Sequence, residues 1–325
     1  MVWKRVLPLL AILFALLFPV FVRDPYFLHA AIMVLLFAYL ASSWNILGGL
    51  AGQHSFGHSA FFGLGAYIST VLFVYWNVPP FVGMIVGGLI AAVASIGIGY
   101  PCFKLRGPYF ALSTLAFTEI FRIIATTTEE IGGIDLKGAA GILIPLRKGS
   151  SFVNFQFADK TYYYYIILGM LLLILYIYDR MEKSRWGLYL AAIRDNEDAA
   201  RSIGINATKY KMVALAVSAF FGATAGTFYA QFLLYIEPVL FSSALSIEIL
   251  LIAIVGGAGT LLGPFLGALI LTPISELMRA YVGGTYAGVQ LIIYGAVLVA
   301  VMMFAPQGLI PPLTKQYRAL FQRRS

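Results

Sequence analysis

Few side chains in this sequence could do chemistry, and their types and spacing limit what that chemistry is. His54 and His58 stand four residues apart and would share a face if the stretch between them were helical. Zinc asks for three or four His, Cys or carboxylate ligands. No third ligand stands near the pair, so metal is not expected there. Glu119 and Arg122 lie one turn apart near the middle of an apolar run. A charge at that depth in a bilayer costs about 2.5–3.5 kcal/mol, so it marks a functional residue or a tie between helices. Glu276 and Arg279 repeat the spacing near the end of another run, where an interfacial pair is the simpler reading.

Two longer stretches say more. Asn45-Ile46-Leu47-Gly48-Gly49-Leu50-Ala51-Gly52-Gln53-His54-Ser55-Phe56-Gly57-His58 interrupts an apolar region with polar residues and flexible glycines. Unwound backbone there could offer amides and carbonyls to a zwitterionic solute. A turn capped by Ser55 would look similar; a role in a pathway or its gate is favoured, with Asn45, Gln53, His54, Ser55 and His58 as candidates. Ile193 to Asn206 reads as a short helix between apolar runs. Asp195 can cap it and Asp198 enriches its first turn. Ala199, Ala200 and Ile203 form a small apolar strip, and Gly204 is a natural residue just past its end. Such a helix suits another protein's groove.

No enzyme constellation accompanies these groups. The sequence lacks a G-x-x-x-x-G-K-[ST] phosphate loop, a G-x-S-x-G turn, an H-E-x-x-H pair and paired-cysteine metal motifs. Its one cysteine, Cys102, excludes an internal disulfide and suits an apolar interior.

The elements that must position these residues are membrane helices. The chain is 61% hydrophobic and 11% charged, less than half the charged share of a soluble domain (about a quarter). Mean hydropathy is +0.88. Spans of about 20 apolar residues are expected at 6–22, 27–47, 58–77, 80–103, 108–127, 162–180, 211–235, 245–258, 261–279 and 285–305. The fold class is therefore all-α, a polytopic bundle of about ten transmembrane or half-membrane helices. The segment 245–258 is too short to cross alone, and Gly256-Gly257-Ala258-Gly259 separates it from the next, so the pair reads as short helices or a re-entrant hairpin. The first run has no small-residue cleavage site after it and reads as a retained helix.

The net charge of +8 is not a nucleic-acid signature here, because the basic residues cluster between spans. Lys4 and Arg5, Lys104 and Arg106, the stretch from Arg180 to Lys209, and Lys315, Arg318, Arg323 and Arg324 are separated by even numbers of spans. All four groups then lie in the cytoplasm with both termini, and 128–161 becomes an ordered, irregular extracytoplasmic loop. Residues 1–313 are expected to form one transmembrane domain, with a cytoplasmic loop at 181–210 and a basic tail at 314–325. Gly83 with Gly87, Gly222 with Gly226, and Gly263 with Gly267 stand at the spacing that lets membrane helices approach closely. A weak echo links Gly48–Gly52, leading into Phe61–Ala66, with Gly256–Gly259, leading into Phe265–Ala268.

Glu197-x-Ala199-Ala200-x-x-x-Gly204 resembles the coupling-loop motif of ATP-binding-cassette importer permeases. The surroundings resemble the branched-chain amino-acid permeases of the LivM type. The matching pieces are Gly52-Gln53-x-Ser55-Phe56-Gly57-His58, Leu105-Arg106-Gly107-Pro108-Tyr109-Phe110-Ala111-Leu112, Ala192-Ile193-Arg194-x-Asn196-Glu197, Gly204-Ile205-Asn206 with Lys211, and Gly256-Gly257-x-Gly259-Thr260-x-x-Gly263-Pro264. They run in order along most of the chain. His54 departs from the pattern, which leads one to expect an aliphatic residue.

The resemblance implies a subunit without its own ATPase site or cofactor, in the inner membrane of a bacterial or archaeal cell. Its partners would be a second related permease, two cytoplasmic ATPases that hold ATP and Mg, and an extracytoplasmic solute-binding protein. The work would be import of leucine, isoleucine or valine, with urea, short amides or other amino acids as alternatives. Arg194, Asp195, Asn196, Glu197, Ala199, Ala200 and Gly204 would couple to the ATPases. Asn45, Gln53, His54, Ser55, His58, Glu119, Gly256, Gly257 and Gly259 would line or gate the pathway. A stand-alone secondary transporter would need membrane acids, for which Glu119 is the single good candidate.

Overall fold

The computed structural model describes residues 15–22, 24–105, 107–147, 152–282 and 295–296. Arg106, the basic tail, most of the first expected span and all but 295–296 of the span at 285–305 lie outside these residues, as do Lys4 and Arg5. After a helical stretch over 15–21 come α1 (Pro25–Gly48), α2 (His58–Trp76), α3 (Pro80–Cys102) and α4 (Pro108–Thr127). Then follow α5 (Lys160–Glu182), α6 (Arg185–Asp195), α7 (Glu197–Ser202), α8 (Ala207–Leu233), α9 (Ser243–Gly256) and α10 (Gly263–Val282). Among the described residues, six of these helices (α1 to α5 and α8) are long and apolar enough to cross a membrane.

Local sequence fixes the starts. Asp24 caps α1, accepting from the Tyr26 N–H, and Asp159 caps α5 through the Thr161 N–H. Proline opens α1, α3 and α4, where its missing N–H costs nothing. Gly107 adopts φ +55 just before Pro108, a conformation that glycine takes without strain. α8 begins four residues before the expected 211, because the Asn206 carboxamide accepts from the Lys209 N–H at 3.0 Å.

The core is built around α8, on which α2 and α3 pack along their length and α1 crosses. Glycine makes this possible. A Cβ on Gly226 would stand 1.8 Å from the Phe62 carbonyl oxygen, and one on Gly65 would stand 1.9 Å from that of Ala223. Gly83 and Gly87 meet Ser69 and Gly65, and Gly267 meets the Ile252 carbonyl. The expected small-residue packing is therefore present; Gly97, outside those pairs, has nothing within 4 Å of its Cβ position.

The loop at 128–161 contains regular strand pairing beyond what the sequence suggested. β1 (Glu130–Ile131) pairs with β2 (Ile134–Asp135), and β3 (Ile142–Leu143) pairs antiparallel with β4 (Tyr235–Ile236) beyond α8. The Arg147 guanidinium donates to the Phe73 carbonyl at 2.9 Å and lies 4.0 Å from the Phe73 ring centroid.

Two helices start part-way along their neighbours. His58, the first residue of α2, bonds Ser218, which lies eleven residues (about 17 Å) into α8. At the start of α9, Ser246 pairs with Ser59 at the start of α2, hydroxyl to hydroxyl at 2.7 Å. The other end of α9 reaches the C-terminal end of α1, where Asn45 holds Gly259 and Thr260. With 14 residues α9 is about 21 Å long, short of the hydrocarbon thickness of about 30 Å. Its partner α10 runs back antiparallel for 20 residues.

Candidate functional site

The polar groups gather in two places. The first surrounds the start of α2. Residues 52–57 are not helical, so His54 and His58 do not share a helix face. His54 is exposed and stacks on Trp44, with centroids 5.8 Å apart, whereas His58 is fully buried. The Ser218 hydroxyl donates to the Ser43 carbonyl at 2.5 Å. Its proton is thereby committed, so His58 must be the donor of the 2.6 Å Nε2 bond to Ser218. In the neutral imidazole the lone pair then lies on Nδ1. Among the described residues no group of three metal-ligating side chains occurs.

Ser55 turns the chain by accepting from the Gly57 N–H at 3.1 Å, while its own carbonyl takes the Trp44 indole N–H at 2.8 Å. Gln53 donates to the Ala51 carbonyl at 3.4 Å. The segment is pinned to α4 by Thr114, which accepts from the Phe56 N–H at 3.0 Å, and by Thr118, which donates to the Phe56 carbonyl at 3.1 Å. A cavity of about 10 Å³ lies here, lined by Ser55, Gly57, Thr114 and apolar neighbours. It is the size of one water.

Glu119 follows Thr118 directly on α4. Arg122 donates to its carboxylate from Nε at 2.9 Å and Nη2 at 2.5 Å. Both side chains keep 38% of their exposure. The pair is thus formed, and it is not a buried tie between helices of this chain. α4 is the least covered of the six long helices, with Tyr109, Leu112, Ile120 and Ile123 exposed.

The second place is the loop between α5 and α8. It holds two helices rather than one. Asp195 ends α6 and does not cap α7; it is exposed and only 3.7 Å from its neighbour Arg194. The cap is Asn196, which is extended (φ −158, ψ 106) and accepts from the Ala199 N–H at 3.0 Å. The apolar strip also divides. Ala200 turns inward against Ile193 and Ala207, whereas Ala199 is exposed and Ile203 is 76% exposed. Gly204 has φ +90, the left-handed position expected of a helix-ending glycine.

Glu197 faces this chain as well as the surface. Its carboxylate accepts from Arg201 Nη2 at 2.6 Å and from Lys211 Nζ at 2.5 Å. Lys211 is only 3% exposed. Burial pushes the Glu197 carboxyl up, but Lys211 and Arg201 outweigh it and hold it below its ordinary value of 4.5. A carboxyl depressed by folding adds stability that is full above 4.5 and is lost as pH falls through the folded value. Glu197→Gln is therefore expected to lower the thermal midpoint at pH 7. The gap to the parent should close on acidification below 4.5. A gap of constant size across that range would show that the Lys211 tie contributes nothing.

Arg194, on the last turn of α6, points inward and donates from Nη1 to the Gly49 carbonyl at 2.9 Å. Asn45, 1% exposed, accepts from the Gly259 N–H at 2.8 Å and donates to the Thr260 carbonyl at 2.9 Å. The two glycine-rich breaks thus touch. The echo between them does not extend to packing, since α9 and α10 pack directly on each other while α1 and α2 separate around α8. Gly256 meets Gly263 and Gly267, and Gly257 turns the chain at φ +121.

Reading the sequence left out Thr114, Thr118, Ser218, Ser246 and Lys211 as structural partners, and it left out Glu248. That glutamate is buried on α9, where its carboxylate accepts from the Ser275 hydroxyl at 3.2 Å. An acidic residue inside an apolar 14-residue helix was a signal available in the sequence.

Fold and site together define a multi-pass membrane protein with its polar groups in helix breaks and in a helical loop between spans. The chain belongs to the family described as branched-chain amino acid transport system / permease component, which it matches over residues 26–304. It is 30% identical over 306 residues to the high-affinity branched-chain amino acid transport system permease protein LivM of Salmonella typhimurium, covering 89% of this chain and 71% of that one. It is 23% identical over 290 residues to LivH of Escherichia coli, covering 84% and 91%. The fructose import permease protein FrcC of Rhizobium meliloti is 25% identical over 228 residues, covering 65% and 62%. No solved structure matches the chain.

Proposed function

We propose that this protein is a permease subunit of an ATP-driven importer that moves branched-chain amino acids into the cytoplasm by alternating access. The observation that carries the reading is the α6–α7 loop. It is held rigidly to the bundle by Glu197 and Lys211, yet presents Ile203 and Ala199 outward. A partner ATPase would grip that tip and move the bundle with it. ATP and Mg would sit on two such partners, and an extracytoplasmic binding protein would deliver the solute. The residues near the pathway then need only weak contacts, which suits a lining of hydroxyls, backbone and small side chains.

A second permease subunit would complete the pathway against α4. Bare lipid is a poor neighbour for Glu119 and Arg122, since a charge at a helix centre costs about 2.5–3.5 kcal/mol. A protein or water-filled surface is a better one. Glu119→Leu strands the guanidinium, whereas Glu119→Leu with Arg122→Leu removes both charges. Uptake by the single variant is expected to fall well below that of the double. Equal uptake by the two would place this face against lipid.

The test of the whole reading is co-expression with the neighbouring gene products, purification of the complex, and ATP hydrolysis in lipid with candidate solutes and the binding protein. Stimulation by leucine, isoleucine or valine is the expected result. The likeness to a fructose import permease favours a second reading with a different solute, and a sugar, urea or a short amide would then stimulate instead. Purification of the chain alone with ATP-independent uptake would overturn both.

A further inference from the structure

The C-terminal end of α1 lacks a basic residue in its last turn, although helix C-termini carry unsatisfied carbonyls and partial negative charge. The missing cation comes from 145 positions away: Arg194 Nη1 donates to the Gly49 carbonyl. The same side chain touches both glycine-rich breaks. Its stem crosses Gly52, where a Cβ would stand 2.7 Å from Arg194 Cγ. Its head lies beside Gly259, whose Cβ would be 3.4 Å from Nη1 and 3.3 Å from the Gly49 oxygen. On the far side the Asn45 carboxamide bonds Gly259 and Thr260. Only glycine allows the breaks to come this close, since a Cβ on Gly49 would meet the Gly259 nitrogen at 2.6 Å.

Three segments therefore share one polar junction: the α6–α7 loop, the end of α1 with the turn to α2, and the turn between α9 and α10. Resting on the permease reading above, we infer that Arg194 is the positioning residue through which movement of α6–α7 reaches both breaks. Asn45 locks the breaks to each other so that they shift together. Arg194 then has no direct part in gripping the ATPase. The guanidinium suits the role because it stays charged and offers several donors in a fixed plane, so the bond to Gly49 can be exchanged without being lost.

The test uses the complete transporter in lipid vesicles, reading solute uptake and ATP hydrolysis on the same preparation. Arg194→Ala should leave assembly and ATP hydrolysis near the parent level while solute carried per ATP falls about five- to tenfold. Arg194→Lys should recover part of the loss, having one flexible donor. Asn45→Ala should show the same uncoupling from the other side of the junction, and the double variant should be no worse than the worse single. If Arg194→Ala fails to assemble, Arg194→Lys and Asn45→Ala decide the matter. Proportional loss of uptake and hydrolysis, or loss of neither, overturns the inference, as does additivity of the two sites. A parent complex that carries solute without ATP removes the permease reading and this inference with it, and that is visible before any variant is measured.

Discussion

Replacing Gly226 by alanine is expected to leave little folded protein in the membrane. The added methyl would stand 1.8 Å from the Phe62 carbonyl oxygen and 3.0 Å from the Ala66 nitrogen. Both are backbone atoms of α2, so no side-chain rotation relieves the clash. α2 and α8 would have to separate by more than 1 Å (about the gap between 1.8 Å and ordinary contact). That would break the contact of Gly65 with Ala223 and stretch the 3.1 Å bond from the Thr227 hydroxyl to the Gly65 carbonyl. In lipid the apolar side chains gain nothing by leaving the solvent, and helix association rests on close packing. Overpacking a core costs about 1–3 kcal/mol even where side chains can give way, and a loss larger than that is expected here. Gly97→Ala is the control, because nothing lies within 4 Å of that Cβ. Thermal midpoints in detergent should fall steeply for Gly226→Ala and stay level for Gly97→Ala. Equal midpoints would mean that α2 and α8 are not packed as described.

Much of this arrangement was legible in the sequence, and for definite reasons. The helices α1 to α5 fall within two residues of the expected bounds, because prolines, asparates with open N–H groups beyond them and uninterrupted apolar runs mark their ends. The glycine spacings announced close contacts, but not which helix answers which. Periodicity along one helix carries no information about its partner. That is why Ser218 and Ser246, which serve His58 and Ser59, attracted no notice as ordinary serines in apolar runs.

The errors have the same origin. Asp195 and Asn196 are both good caps by type, and sequence alone did not weigh one against the other. The structure chooses Asn196 because α6 runs on through Asp195 and the chain first becomes extended one residue later. The resemblance leads one to expect Glu197 and Arg194 to face the ATPases, with nothing in their types to reveal a bond to the bundle. Their partners, Lys211 and the Gly49 carbonyl, are 14 and 145 residues away. The sequence thus marked the loop as important while concealing that two of its charged residues bond to the bundle and that Ile203 stands exposed at the tip beside Asp195, Asp198 and Arg201.

That tip yields the second large expected effect. On the proposed function, Ile203→Asp should abolish association with the partner ATPase, and with it ATP-driven uptake, while leaving the thermal midpoint of the isolated chain unchanged. Ile203 follows α7, is 76% exposed and has no place in the apolar core of this chain. Substitution of such a residue costs a folded monomer within about 0.5 kcal/mol. Seated in a partner's pocket it would act as an interface anchor, where truncation typically costs about 2 kcal/mol or more. An aspartate there adds the expense of removing a charge from water without a counterion. Together these correspond to at least about a thirtyfold weaker complex. Ile203→Ala should fall between the parent and Ile203→Asp, a graded order that a purely structural defect does not produce. Co-purification of the ATPase with each variant, beside a melting curve of the permease alone, separates docking from folding. Full ATPase retention by Ile203→Asp would move the docking surface to α6, where Leu188 is 66% exposed and Trp186 42% exposed. Glu197→Gln supplies the opposite signature, a lower midpoint with the tip intact, because its carboxylate holds α7 to Lys211.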